Sequence, residues 1–144
     1  MDYLNILLKV VLSLWLFFCS WQDIKRQEIS IFLISLGFIS LLVISLLNGD
    51  LSLVERVAGI LVGLVLLMLN RITRGQIGIG DGLIFCVTGI SLGFFLNSIL
   101  LLYSLIISAI FSGFYMIVKR VGKKTTIPFV PFVFIVSLGV FFIE

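Results

Sequence analysis

The sequence predicts an all-α integral membrane protein with six transmembrane helices, and three observations lead to this fold class. Hydrophobic residues make up 61% of the 144-residue chain, and charged residues only 12%. The mean hydropathy is +1.33. The charges gather between apolar runs, and a helix needs roughly 20 apolar residues to cross a bilayer. Because no polar stretch is long enough for a soluble domain, we expect one polytopic membrane domain over residues 1–144.

Turn and cap residues separate the first three predicted spans. The polar segment 22–28 follows the first span as a loop, and the turn Asn48-Gly49-Asp50 ends the second. Ser52 offers an N-cap for the third helix, with Glu55 three residues later as its capping-box partner. These signals predict spans over residues 3–20, 29–47 and 52–70.

The apolar run 82–118 is too long for one crossing. We therefore predict two spans, with a turn at Asn97. The proline-containing segment after the next basic loop then begins the last span. The sequence predicts these three spans over residues 82–96, 98–118 and 127–143.

Basic residues alternate between the two sides of this layout. The loops after the first, third and fifth spans hold most of them, while the opposite side holds only Lys9 and Arg56. The positive-inside rule places the basic loops in the cytoplasm and both termini outside. The predicted cytoplasmic residues are Lys25, Arg26, Arg71, Arg74, Lys119, Arg120, Lys123 and Lys124.

The composition excludes several kinds of chemistry. The chain has no histidine, which excludes Ser-His-Asp and Cys-His catalysis and HExxH zinc sites. Cys19 and Cys86 lie in apolar segments and form no CxxC pair, so we expect no metal, no other cofactor and no disulfide. The sequence does not indicate a nucleic-acid partner, because it shows no basic face interleaved with aromatic residues.

Asp23 and Asp81 stand where apolar runs meet basic segments, on the same predicted membrane face. Carboxylates near lipid are costly and usually functional. Two of them brought close together share one proton. One can then accept a proton from water while the other donates to a peptide carbonyl oxygen. The pair therefore predicts peptide-bond hydrolysis at a membrane. Each aspartate alone is equally well explained by an ion pair or a helix cap.

Two further phrases surround this pair. Gly78 and Gly80 precede Asp81 and allow another chain to approach the backbone closely. Residues 127–132 contain both prolines of the chain, which remove backbone donors and oppose regular helix. We expect a partly unwound wall there, since irregular backbone in a membrane lines a cavity or is buried in protein. The alternative is a helix entry with proline in its first turn.

Together these phrases resemble the type IV prepilin peptidases, the bacterial branch of the GxGD membrane aspartic proteases. Asp23 is followed by basic residues, residues 78–81 read GIGD, and residues 127–132 read IPFVPF. The resemblance implies a GxGD aspartic protease-like bundle. Its implied catalytic pair is Asp23 and Asp81, and its implied site-shaping residues are Gly78, Gly80, Pro128, Phe129 and Pro131.

The resemblance also implies substrates and location. These are prepilins or pilin-like precursors in a prokaryotic cell membrane, whose short basic leaders are cut at the cytoplasmic face. Membrane lipids are the other expected partner. The chain is similar to short members without an N-terminal CxxC domain, so we expect peptidase activity without methyltransferase activity. It departs from the family pattern at Ile31, Leu83 and Val130, where asparagine, lysine and glycine or alanine are common.

Other interpretations remain open. The carboxylates could serve a small transport or channel subunit, which predicts a position near the middle of the bilayer. The chain could be a catalytically inactive pilus-assembly factor that binds pilin-like helices. Lys9 and Ser13 have the helical spacing of a serine-lysine protease. Within the dyad, we expect Asp81 to be charged more often, because it begins a helix while Asp23 follows the end of one.

Overall fold

Five α-helices form the chain over residues 2–120, 122 and 126–143, which the computed structural model describes. They are α1 (Asp2–Arg26), α2 (Ile31–Asn48), α3 (Leu53–Ile72), α4 (Ile79–Lys119) and α5 (Val130–Ile143). The first four are long and apolar enough to cross a membrane, and α5 is a shorter apolar helix. The all-helical prediction is confirmed, and the apolar helices fit a multi-pass membrane protein. Six separate spans are not confirmed.

The helix signals between α2 and α3 are confirmed. Gly49 ends α2 in the left-handed conformation, with φ 72°. At the start of α3, the Ser52 side chain accepts a hydrogen bond from the Glu55 amide, while the Glu55 carboxylate accepts one from the Ser52 amide. Both ends therefore satisfy backbone groups that a helix terminus leaves free.

Two predicted boundaries were wrong in a way that matters for the site. The helix α1 continues to Arg26, so Asp23 lies in its last turn and not in a loop. The helix is broken only at Gln27, which has φ 54°. Because α4 already begins at Ile79, Asp81 lies in its first turn. Both aspartates are therefore held by helical backbone.

The helix α4 is interrupted at Gly93, whose φ of 72° and ψ of −177° are not helical. Glycine reaches a positive φ without the steric cost that a side chain would add. The part before the break is α4a (residues 79–92), and the part after it is α4b (residues 94–119).

Hydrogen bonds of Asn97 show that the chain reverses at this break. Its side-chain amide donates to the Phe85 carbonyl oxygen at 2.9 Å and accepts from the Thr88 hydroxyl at 2.7 Å. Residues 85 and 97 would lie roughly 18 Å apart along a continuous helix. The predicted turn at Asn97 was therefore placed too late: the chain turns at Gly93, and Asn97 is a buried residue that fastens α4b to α4a.

Glycines bring α3 and α4a into close contact. A Cβ atom added at Gly59 would lie 2.2 Å from the Gly89 carbonyl oxygen, and one added at Gly63 would lie 2.3 Å from the Cys86 amide nitrogen. Small residues allow such backbone contact between helices in a membrane, where dispersion replaces the hydrophobic effect as the driving force. This packing fixes the direction of α4a, which carries Asp81 at its start.

The remaining helices pack against one another and against α4. The Trp15 indole of α1 donates to the Leu33 carbonyl oxygen of α2 at 2.8 Å. At the opposite end of α2, the buried Arg56 side chain donates to the carbonyl oxygens of Ser45 at 2.6 Å and Leu51 at 3.2 Å. The buried core includes Leu12, Leu16, Cys19, Phe85, Leu100, Val133 and Val140.

We predict that Gly89→Ala lowers the free energy of unfolding by roughly 1–3 kcal/mol, because the added methyl group meets the backbone of α3. Gly113 in α4b is the matched control, since a Cβ atom there meets no atom within 4 Å. Gly113→Ala should stabilise the helix by up to about 1 kcal/mol through its higher helix propensity. Thermal unfolding in detergent micelles measures both changes. Equal unfolding temperatures for the two variants would contradict the close packing of α3 on α4a.

Candidate active site

A cleft of about 710 Å³ opens at one end of the bundle. It lies between the end of α1, the start of α2, the loop before α4 and the segment before α5. Six of the seven predicted site residues line it, namely Asp23, Asp81, Gly78, Gly80, Pro128 and Phe129. The seventh, Pro131, does not line the cleft but lies in the first turn of α5.

Asp23 is buried, with 8% of its surface exposed, and it is bonded to the start of α5. Its Oδ2 atom accepts a hydrogen bond from the Val130 amide at 3.0 Å. The Phe129 backbone also interacts favourably with the charged form of this carboxyl group. Because Pro128 and Pro131 have no N–H group, the two amides between them are the donors that this phrase presents.

Both interpretations of the proline phrase hold in part. Residues 126–129 are not helical and all four line the cleft, as the unwound wall predicts. The helix then begins at Val130, so Pro131 stands in its first turn. Val130 acts on Asp23 through its backbone, while its side chain is fully buried in the core. The departure from glycine or alanine at this position therefore leaves the bond to Asp23 in place.

Gly78 provides the space that the Asp81 carboxyl group occupies. A Cβ atom at Gly78 would lie 2.9 Å from Asp81 Oδ2, although φ −63° and ψ 133° suit any residue. At Gly80, a Cβ atom would lie 3.2 Å from the Ile29 Cδ1 atom. Neither glycine has a positive φ. Close approach, and not backbone conformation, therefore explains why glycine precedes Asp81.

The two carboxyl groups interact electrostatically within the cleft. Each carboxyl group is also next to the N-terminal end of a helix, where the helix dipole favours a negative charge. Asp81 is in the first turn of α4, and Asp23 contacts the first turn of α5. The prediction that Asp81 is charged more often considered only the C-terminal end of α1 at Asp23, and the start of α5 acts there in the opposite sense.

Sequence reasoning missed the polar residues at the rim. Gln27 and Thr126 exchange two hydrogen bonds, from Gln27 Nε2 to the Thr126 carbonyl oxygen at 3.1 Å and from the Thr126 hydroxyl to Gln27 Oε1 at 2.6 Å. The Asn70 side-chain amide donates to the Ile77 carbonyl oxygen and shapes the loop before α4. The only sequence signal was that Gln27, Asn70 and Thr126 stand in or near the segment after Asp23, the GIGD phrase and the IPFVPF phrase.

The lining combines acidic and apolar groups. Glu28 adds a third carboxyl group to the lining. Ile31 and Leu83 supply apolar surface at positions where the family often has asparagine and lysine. Among the described residues, no lysine or arginine lines the cleft. In that same part of the chain, no three His, Cys, Asp or Glu side chains form a group that could hold a metal ion.

The alternative serine-lysine pair is not supported by hydrogen bonding. The Ser13 hydroxyl donates to the Lys9 carbonyl oxygen at 2.7 Å, one helical turn earlier. This is a common local bond of a serine inside a helix.

Family comparison now adds independent information. The family model of the type IV leader peptidases matches residues 10–117. The chain belongs to the type IV leader peptidase family. The matched range contains Asp23 and Asp81 but ends before the IPFVPF phrase. No curated protein matches the chain, and no solved structure matches it. Membership of this leader peptidase family implies a protease.

We predict that Gly78→Ala lowers the proteolytic activity of this leader peptidase family member by roughly tenfold to a hundredfold, because the new methyl group displaces the Asp81 carboxyl group. Gly80→Ala is the matched control. Its methyl group meets only the Ile29 side chain, with the flexible Cδ1 end closest, and should cost less activity. Leader cleavage at equal membrane levels of each variant measures the difference. A larger loss for Gly80→Ala would contradict this role of Gly78.

Proposed function

We propose that the protein is a membrane-embedded aspartic endopeptidase that removes the leader peptides of type IV prepilins or pilin-like precursors. The observation that carries this proposal is the shared cleft, in which Asp23 and Asp81 interact. The family match supports a leader peptidase. The absence of histidine from the sequence leaves an acid pair as the plausible catalytic group.

In the proposed reaction, the two aspartates share one proton. Together they also bind a water molecule. The ionised carboxylate takes a proton from the water, whose oxygen attacks the peptide carbonyl carbon. The protonated carboxyl group donates to the carbonyl oxygen. Collapse of the tetrahedral intermediate breaks the C–N bond, and the amine leaves with a proton from the pair. The two apparent ionisations then belong to the pair and not to either residue.

We further propose six membrane crossings within one domain, residues 1–144. The reversal at Gly93 supports two crossings by α4, and α5 supplies the sixth despite its length. The cleft end then faces the cytoplasm, because the described basic residues Lys25, Arg26, Arg71, Arg74, Lys119 and Arg120 end or follow helices that run toward it. Lys123 and Lys124, which belong to the same predicted loop as Lys119 and Arg120, lie outside the described residues.

The position of the carboxylates argues against a transport subunit. Asp23 lies in the last turn of α1 and Asp81 in the first turn of α4, so both are at helix ends. A carboxylate that carries ions across a membrane would be expected deeper in a span. An inactive assembly factor would have the same fold. Replacing Asp23 or Asp81 distinguishes the two functions, because only an enzyme needs these carboxylates for its activity.

We predict that Asp23→Asn and Asp81→Asn each lower leader removal by roughly 10²–10⁴-fold, because each removes one acid-base group. The wild type and both variants are co-expressed with pilin-like precursors from the same genome, and processing is followed by the change in precursor size. Asp50→Asn is the control, since Asp50 lies in the loop between α2 and α3, at the other end of the bundle.

Cleavage that survives in both aspartate variants would exclude the acid-pair mechanism. If the wild type leaves every precursor intact but pilus assembly needs the protein, the assembly-factor interpretation replaces the enzyme. Reconstituted ion flux without proteolysis would favour the transport subunit.

A further inference from the structure

A second cavity of about 360 Å³ adjoins the cleft along the side of the bundle. It lies between α2, which supplies Ser35, Phe38 and Ile39, and α4a, which supplies Val87. Ile34 and Leu83 line both this cavity and the catalytic cleft. The two cavities are therefore neighbours that share part of their walls, and the second is called the α2–α4a groove below.

The fastening of α2 explains why the groove opens where it does. Far from the cleft, the Ser45 hydroxyl donates to the Ile90 carbonyl oxygen of α4a at 3.0 Å, and Arg56 bonds to both residues. Nearer the cleft, the bond from Trp15 to the Leu33 carbonyl oxygen ties α2 to α1. The α2–α4a groove thus lies beside the cleft, and the bonds of Ser45 and Arg56 hold α2 against α4a beyond its far end.

The polarity of the surface changes along its length. The cleft carries the carboxyl groups of Asp23, Glu28 and Asp81, which favour a positively charged segment. The groove is lined almost entirely by apolar side chains, and its Phe38 and Ile39 are 40% and 62% exposed. A single polypeptide that fits both regions has a basic segment directly next to an apolar one.

We infer that the α2–α4a groove binds the apolar helix of the precursor, on the C-terminal side of the bond that is cut. This rests on the proposed function, because it takes the cleft as the place of cleavage. Ile34 and Leu83 then contact the junction between the leader and the helix, next to Asp81. Small groups such as Ser35 allow a helix to pack closely, which is the main source of helix association in a bilayer.

The groove also gives a role to Leu83. A lysine at this position would place a charge between the cleft and the groove. Leucine continues the apolar wall up to the first turn of α4. In this chain Leu83 is therefore a specificity-determining residue that favours an apolar residue just after the cut.

Photo-crosslinking tests the position of the substrate. A benzoylphenylalanine is placed at position 39 in the groove, in an Asp81→Asn background that leaves the bound precursor uncut. Position 36 of α2 is the control, because Leu36 is 54% exposed but lines neither cavity. We expect a crosslink to the co-expressed precursor from position 39, mapped by peptide analysis to its apolar helix. Equal crosslinking from both positions, or none from position 39, would overturn the inference.

A processing assay gives a second readout in the active protein. Ile39→Trp fills the groove and should lower precursor cleavage roughly tenfold, while Leu36→Trp should change it less than about twofold. Equal cleavage by both variants, at equal membrane levels, would also overturn the groove assignment. If the wild type cuts the precursor in either outcome, the proposed peptidase function stands. If it cuts none, the function and the groove assignment both fail.

Discussion

The hydrogen bond from the Val130 amide to Asp23 joins two parts of the chain that are 107 residues apart. A carboxyl group and a helix terminus that both lie near lipid must find partners inside the protein, because the bilayer core offers no water. This bond satisfies both at once. It also holds one wall of the cleft in place, since it fastens the end of α1 to the segment that carries Pro128 and Phe129. The position of the first aspartate and the shape of the wall beside it therefore depend on one contact.

The second aspartate is positioned by a different kind of constraint. Glycines on α3 and α4a bring the two backbones into contact, and the chain reverses at Gly93 so that α4b covers α4a. Asp81 is carried by the first turn of this compact unit. The opposite end of α2 is held by the buried Arg56 side chain, while the end near the cleft borders the groove. The bundle is thus closely packed around Asp81 and open beside it.

Local features were predictable from the sequence, and long-range ones were not. The Ser52–Glu55 capping box and the Gly49 turn depend on neighbouring residues, so their chemistry can be read directly. The alternation of apolar runs and basic loops also predicted that both aspartates lie on one membrane face, and in the structure both line one cleft. The continuation of α1 through Asp23 has no such local mark. The Val130 group that donates to Asp23 is a backbone amide, so the type of side chain does not predict the bond. The choice between Gly93 and Asn97 as the turn depends on how α4b packs against α4a.

Asp23 and Asp81 line one cleft, and crosslinking in the membrane tests their proximity most directly. Cysteines replace both aspartates in a variant without Cys19 and Cys86, and a protease site at Gly49 allows the chain to be cut between them. A short bismethanethiosulfonate reagent is then added to membranes. We expect the two fragments to stay joined after cutting, and to separate in a control with cysteines at positions 23 and 103. Fragments that separate equally in both variants would contradict the shared cleft.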